Sequence, residues 1–238
     1  MRTCQTRMIM YSLLEKIKGR LVVSCQAEGD SPFNSPEGVA MFALAARMGG
    51  AAAIRSEGVA KTRRIAESVD LPVIGLKKSL FDDQSVRITG TFDHVEQMIE
   101  TGCDMVAVDG TFRHREGMSG PDFIREIKRR RQFPVMADIA TPEEAEACRE
   151  AGADCVSTTL SGYTPQTASS DQSVPDLELV AELVRRFGDH FPVVAEGRYN
   201  TPASAGDAIK QGAWAVVVGT AITRPQVVTK WFRDAVEK

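Results

Sequence analysis

Two stretches of this chain, whose first residues are 58 positions apart, follow one plan: Pro134-Val-Met-Ala-Asp-Ile-Ala-Thr-Pro142 and Pro192-Val-Val-Ala-Glu-Gly-Arg-Tyr-Asn-Thr-Pro202. Each begins as an apolar run, reaches a carboxylate four residues after its proline (Asp138, Glu196), and closes on a Thr-Pro pair that opens a helix. An apolar run without alternation suits a parallel strand buried on both faces, and the polar residues behind it suit the point where the strand empties into a loop. The pair therefore reads as two rungs of a parallel barrel whose strand ends share one site.

The rest of the chain repeats the unit. Helix-to-strand turns carry their own signature, Thr101-Gly-Cys-Asp104, Ala151-Gly-Ala-Asp154 and Gln211-Gly-Ala-Trp214, with glycine where a helix ends in the left-handed region. Gly152 to Gly212 spans 60 residues, so the second copy holds two extra residues, which fall between Glu196 and Thr201. The expected strands are Leu21 to Gln26, Ala51 to Ser56, Pro72 to Lys78, Met105 to Asp109, Pro134 to Asp138, Cys155 to Leu160, Pro192 to Glu196 and Ala215 to Gly219. A short β-like piece, Val86 to Thr89, lies in the long third loop. Eight βα units without a composition break predict an α/β chain forming a single (β/α)8 TIM barrel, residues 1–238, with 1–9 a polar extension and a helix at Ser12 to Lys18. An open doubly wound sheet fits less well, because no Gly-x-Gly-x-x-Gly turn follows the first strand. The last helix places Val228, Trp231, Phe232 and Ala235 on one face and is expected to cover the barrel.

Composition narrows the function. A net charge of −3 gives no electrostatic case for nucleic acid, so an anionic substrate needs a local basic pocket. The basic run Lys128 to Arg131 reads as a solvated helix end, where cations are favoured. No apolar run approaches the roughly 18 residues of a membrane span, and no secretory signal opens the chain. Five cysteines, an odd number without C-x-x-C, point to reduced thiols in a cytoplasm. The three histidines (His94, His114, His190) fall outside the strand ends and in no ligand-like spacing; neither a metal nor a nicotinamide or flavin cofactor is expected. A homo-oligomer stays open, since one sequence shows no interface.

In such a barrel the active site lies at the C-terminal strand ends. Those ends are Gln26, Arg55, Lys77 or Lys78, Asp109, Asp138, Thr158 to Tyr163, Glu196 and Gly219-Thr220. Aligning Pro72 with Pro134 and Pro192 puts Lys78 on the strand parity of Asp138 and Glu196, with Lys77 opposite unless a bulge intervenes. Lys78 is thus the candidate base. The plainer readings are a solvated lysine, carboxylates that only cap the next helix, and an ordinary turn at Asp109-Gly-Thr. A phosphate is expected at the loops after strands seven and eight, Gly197-Arg198 and Gly219-Thr220, with charge from Arg198 or Arg224.

At these residues the sequence resembles the N-acetylmannosamine-6-phosphate 2-epimerases of bacterial sialic acid catabolism. The matching pieces include Val23-Ser-Cys-Gln26, Ala53-Ile-Arg-Ser-Glu-Gly58, Val86-Arg-Ile-Thr89, Thr158-Thr-Leu-Ser-Gly-Tyr-Thr164, Ala195-Glu-Gly-Arg-Tyr-Asn-Thr-Pro202 and Gly219-Thr-Ala-Ile-Thr-Arg224. The resemblance implies a metal-free TIM-barrel isomerase that interconverts N-acetylmannosamine 6-phosphate and N-acetylglucosamine 6-phosphate. It puts the catalytic lysine on Lys78 and the essential glutamate on Glu196, with substrate-site residues Gln26, Arg55 and Asp138. Asp109 and Tyr163 join that binding set from the strand-end reading. Lys77 stands where the family usually has an apolar residue, and the loop after Lys78 lacks a basic residue that often follows. Lysine can act as the C2 base only when neutral, which burial and Arg55 would favour and a nearby carboxylate would oppose. A Schiff-base aldolase using Lys78 and a non-catalytic sugar-phosphate-binding barrel are the alternatives.

Overall fold

A computed structural model describes residues 13–168 and 173–237; the polar extension at 1–9 and the helix start at Ser12 lie outside the described residues. From Arg20 onward short β-branched runs form strands β1 (Arg20–Cys25), β2 (Ala53–Glu57) and β3 (Val73–Leu76). A hairpin follows, β4 (Lys78–Leu80) and β5 (Val86–Ile88), then β6 (Met105–Asp109), β7 (Val135–Asp138), β8 (Cys155–Ser157), β9 (Val193–Glu196) and β10 (Ala215–Val218). Strands β1, β10, β9, β8, β7, β6, β3 and β2 close, in that spatial order, into a parallel barrel, and β4-β5 is a separate antiparallel pair.

The repeat has a physical basis at both ends of each helix. Thr91, Thr141 and Thr201 each cap a helix by accepting a backbone N–H, and Thr141 and Thr201 complete a reciprocal capping box. Such caps are worth about 1 kcal/mol each. At the other end Gly102, Gly152 and Gly212 sit at φ of 83°, 96° and 96°, where a side chain would be strained. The aspartates two residues on have a task as well. Asp104 accepts the N–H of Val73 at 2.9 Å and Asp154 that of Val135 at 2.6 Å, tying each turn to the start of the preceding barrel strand. In the third turn Trp214 instead donates Nε1–H to the Leu14 carbonyl at 2.7 Å. Leu13, Leu14 and Ile17, in the helical segment 13–17, share one buried cluster with Val22, Ala53, Met105, Met136 and Cys155 inside the barrel. Alternate residues continue that inward parity, so the same strands turn polar toward their C-terminal ends.

Three expectations are corrected. The third barrel strand ends at Leu76 rather than Lys78, because Lys77 exchanges hydrogen bonds with Thr89 and the chain leaves the barrel as the hairpin. The sixth stops at Ser157; Thr158–Leu160 is one 3-10 turn, with the Thr158 hydroxyl bonded to both the N–H and the carbonyl of Glu196. The last helix, Pro225–Val236, does not cover the barrel. It has no buried residue, and Phe232 is 69% exposed. The outer side of β1 is taken by helix Pro36–Met48 and that of β10 by helix Pro202–Lys210, so the last helix packs mainly on the one-turn helix Thr220–Thr223. Among the described residues no helix is long and apolar enough to cross a membrane. The four described cysteines are free and buried.

Candidate active site

The site is organised by a buried arginine. Strand β2 points Arg55 into the barrel, where its side chain is 1% exposed. Removing a guanidinium from water costs several kcal/mol unless good partners surround it. Asp138 supplies the first, a two-pronged pair with Nη1 at 3.0 Å and Nη2 at 2.7 Å. Thr159 donates to the same carboxylate at 2.6 Å. The carboxylate of Asp138 is thus filled, and none of it is exposed. Burial works against the charge on Arg55, but Asp138 and then Glu196 outweigh it and make this group more basic than an ordinary arginine.

Glu196 completes the triad differently. One of its oxygens lies 2.5 Å from Arg55 Nη1 and 3.4 Å from the Ser157 hydroxyl, and the side chain opens to the cavity. Burial pushes its carboxyl up to about 7; Arg55 opposes the rise and the negative charge of Asp138 adds to it. A carboxyl in that range holds a proton in a large share of molecules at neutral pH, so it can donate as well as accept.

Across the cavity the hairpin brings Lys78. Its Nζ pairs with Glu28, in the loop after β1, and its side chain is 33% exposed. Lys77 turns outward and donates to Gln97 Oε1 at 2.8 Å on helix Phe92–Ile99. The cavity measures about 220 Å³, and Lys78, Arg55 and Glu196 share it with Gln26, Ser24 and Tyr163. Ser24 accepts from the Gln26 amide at 2.9 Å.

The other end of the cavity is lined by Gly197, Arg198, Gly219, Thr220, Thr223 and Arg224. A Cβ on Gly219 would come within 3.3 Å of the Ser24 Cβ, a tight contact that would press on Ser24. Gly197 and Arg198, at φ of 110° and 62°, bend the chain so that 197–200 line the cavity. The Arg198 guanidinium donates to the carbonyls of Val174 at 2.7 Å and Ser161 at 2.8 Å and lies over the Tyr163 ring. It secures the loop that carries Tyr163. Arg224, 37% exposed, lines the cavity with its guanidinium 3.7 Å from Glu28.

Nine of the eleven residues expected at the site line this cavity: Gln26, Arg55, Lys78, Tyr163, Glu196, Gly197, Arg198, Gly219 and Thr220. Asp138 lies directly behind Arg55. Asp109 stands apart. Its inward carboxylate accepts from Thr111 and is paired with Arg113 at 2.7 Å and Arg115 at 3.0 Å, all from its own loop, and it is fully buried. The Arg-x-Arg spacing after Asp-Gly-Thr is the signal in the sequence for this enclosure. Sequence reasoning also misses Glu28 and Ser24, although both share the parity of Gln26. Among the described residues no group of three or more His, Cys, Asp and Glu side chains is arranged to hold a metal ion.

The chain is similar in sequence and fold to known proteins. A family model described as "Putative N-acetylmannosamine-6-phosphate epimerase" (NanE) matches residues 39–238. The solved structure of the N-acetylmannosamine-6-phosphate 2-epimerase from Clostridium perfringens superposes with a TM-score of 0.86 at 44% identity, covering 93% of this chain and 95% of that one. An Escherichia coli O157:H7 relative named as a 2-epimerase of the same kind is 44% identical over 97% of this chain and 98% of its own length. The bifunctional enzyme NanE/NanK of Brucella melitensis is 45% identical over 98% of this chain, which spans only 44% of that longer protein. The barrel, the motif-bearing strand ends and these matches agree: the chain belongs to the N-acetylmannosamine-6-phosphate 2-epimerase family.

Proposed function

We propose that this chain, as one barrel domain, interconverts N-acetyl-D-mannosamine 6-phosphate and N-acetyl-D-glucosamine 6-phosphate, an amino-sugar step of sialic acid catabolism. The observation that carries the reading is one cavity with Lys78 on one wall and a Glu196 carboxyl raised to about 7 on another. Inversion at C2 removes the proton next to the open-chain aldehyde and returns one to the opposite face. Neutral Lys78 Nζ takes the C2 proton. As it leaves, charge builds on the aldehyde oxygen, and a protonated Glu196 donates there, backed by the positive charge of Arg55. Returning the two protons, with C2 now approached from the other side, completes the epimerisation.

Asp138 holds Arg55 and so fixes the direction in which Glu196 faces. Gln26, Ser24 and Tyr163 supply polar contacts for the sugar and the N-acetyl group. The phosphate lies against Gly197, Gly219 and Thr220 with Arg224 as its cation, because the Arg198 guanidinium is committed to the Ser161 and Val174 carbonyls. Free, buried cysteines support a reducing, cytoplasmic setting.

The test is deuterium exchange at C2 of N-acetylmannosamine 6-phosphate in heavy water, followed by NMR. The wild-type chain is expected to exchange C2 and form the epimer. Lys78→Ala is expected to do neither while still binding substrate by calorimetry. Exchange by Lys78→Ala within a few-fold of wild type refutes Lys78 as the base, and no exchange by wild type refutes the function.

A further inference from the structure

Glu28 has no part in these proton transfers, yet it contacts two of the cations that line the cavity. One oxygen accepts a hydrogen bond from Lys78 Nζ, and the other lies 3.7 Å from the Arg224 guanidinium. Behind these cations stands Lys61, whose Nζ donates to the Ala27 carbonyl at 2.7 Å. Glu57, 3.8 Å from Lys61, lines the same shallow depression as Glu28 and Lys78. Burial pushes the Glu28 carboxyl up, but the hydrogen bond and charge of Lys78, then Arg224 and Lys61, prevail and hold it below the usual range. Glu28 is therefore an anion at neutral pH.

Both of its partners are needed elsewhere in the reaction. Lys78 has to be free of a competing hydrogen bond to take a proton from C2, and its Nζ is hydrogen-bonded to Glu28. Arg224 has to receive a phosphate, which carries the same sign of charge as Glu28. Phosphate at Arg224 and the Glu28–Arg224 pairing therefore oppose each other. Repulsion from that phosphate would in turn loosen the carboxylate from Lys78.

We propose that Glu28 is a positioning residue that holds Lys78 at the mouth through one oxygen and opposes phosphate at Arg224 through the other, so that phosphate arrival and release of Lys78 are coupled. The inference rests on Lys78 as the base and Arg224 as the phosphate cation. Its chemistry is that of any phosphate-bearing sugar, so inorganic phosphate serves as the probe.

Glu28→Gln keeps the size and removes the charge. The measurements are the competitive inhibition constant of inorganic phosphate and the split between KM and kcat, in wild type, Glu28→Gln, Glu28→Asp, Arg224→Gln and the Glu28→Gln/Arg224→Gln double variant. In Glu28→Gln the phosphate constant is expected to fall about two- to fivefold, the scale of one partly exposed charge contact. Glu28→Asp keeps the charge and is expected to leave the phosphate constant near wild type. In the Arg224→Gln background the fall in the phosphate constant should vanish. A residue that only props up the loop would leave the phosphate constant unchanged or raise it, and that result overturns the proposal. So does a fall of full size that persists without Arg224. Turnover by Lys78→Ala at the wild-type level would instead refute the underlying site reading. Loss of turnover in Lys78→Ala together with wild-type behaviour of Glu28→Gln refutes this inference alone.

Discussion

Asp138 and Glu196 end sister strands written to the same plan, and their environments differ sharply. The side chain of Asp138 is 0% exposed and accepts three hydrogen bonds, two from Arg55 and one from Thr159. That of Glu196 is 12% exposed, touches Arg55 through one oxygen, and opens to the cavity. The loops account for the contrast. After Asp138 the chain goes through Ile139 and Ala140 straight to the capping Thr141, and Ile139 pairs with the backbone of the next strand end. After Glu196 two extra residues intervene, and Gly197 and Arg198 both take positive φ in a loop that lines the cavity without, among the described residues, hydrogen-bonding the Glu196 carboxylate. One carboxylate became the counter-charge of a buried arginine and its sister became available for chemistry. Position at a strand end therefore nominates a group, and its neighbours decide its use.

Exchanging the charge of each carboxylate separates the two roles most widely. Glu196→Gln is expected to lower kcat by about 10²–10⁴. Arg55 keeps Asp138, so at pH 5, where the raised Glu196 carboxyl is protonated, the urea midpoint should stay close to wild type. Asp138→Asn leaves Arg55 short of its main counter-charge and is expected to cost about 3–5 kcal/mol, read from the same titration. Equal destabilisation by the two variants would break the distinction between a structural and a chemical carboxylate.

The pH dependence of stability sharpens the contrast at a smaller scale. The folded Glu196 carboxyl rises from an ordinary 4.5 to about 7, so between those values the folded chain binds more protons than the unfolded one. Its contribution to stability is present in full below about 4.5 and is lost as the pH rises through about 7. Comparing urea midpoints at pH 5 and pH 7.5 should show a decline in wild type that is shallower in Glu196→Gln. Identical pH slopes in the two proteins would mean that Glu196 is not the group that titrates. The smallest effect belongs to Lys77→Ala. That side chain points away from the cavity to Gln97, and its loss should leave kcat within about twofold and stability within about 0.5 kcal/mol. A large loss of kcat would overturn the division of labour between the two lysines.

Much of this contrast is legible in the residues alone. Period-two parity ranks Lys78 above Lys77, and Lys78 does line the cavity, though from the hairpin beyond the strand's end at Leu76. The glycine turns and Thr-Pro starts mark both ends of the βα units because they are local, set by a left-handed residue and a side-chain cap. What escapes depends on contacts between distant segments. Arg198 stands out in sequence as a cation at a strand end, and only the fold shows its head bonded to the carbonyls of Ser161 and Val174. Asp109 has the right parity and is enclosed by Arg113 and Arg115. Glu28 meets its hydrogen-bond partner 50 residues away, through a hairpin that the residue pattern presents as the end of a strand.

By itself the sequence determined the barrel and its set of inward strand-end groups, because strand period, capping and glycine turns act over a few residues. Only the tertiary structure decided which of those groups are spent on one another and which face the cavity. Pairing, burial and the resulting shift of Glu196 to about 7 arise from side chains that meet across the barrel.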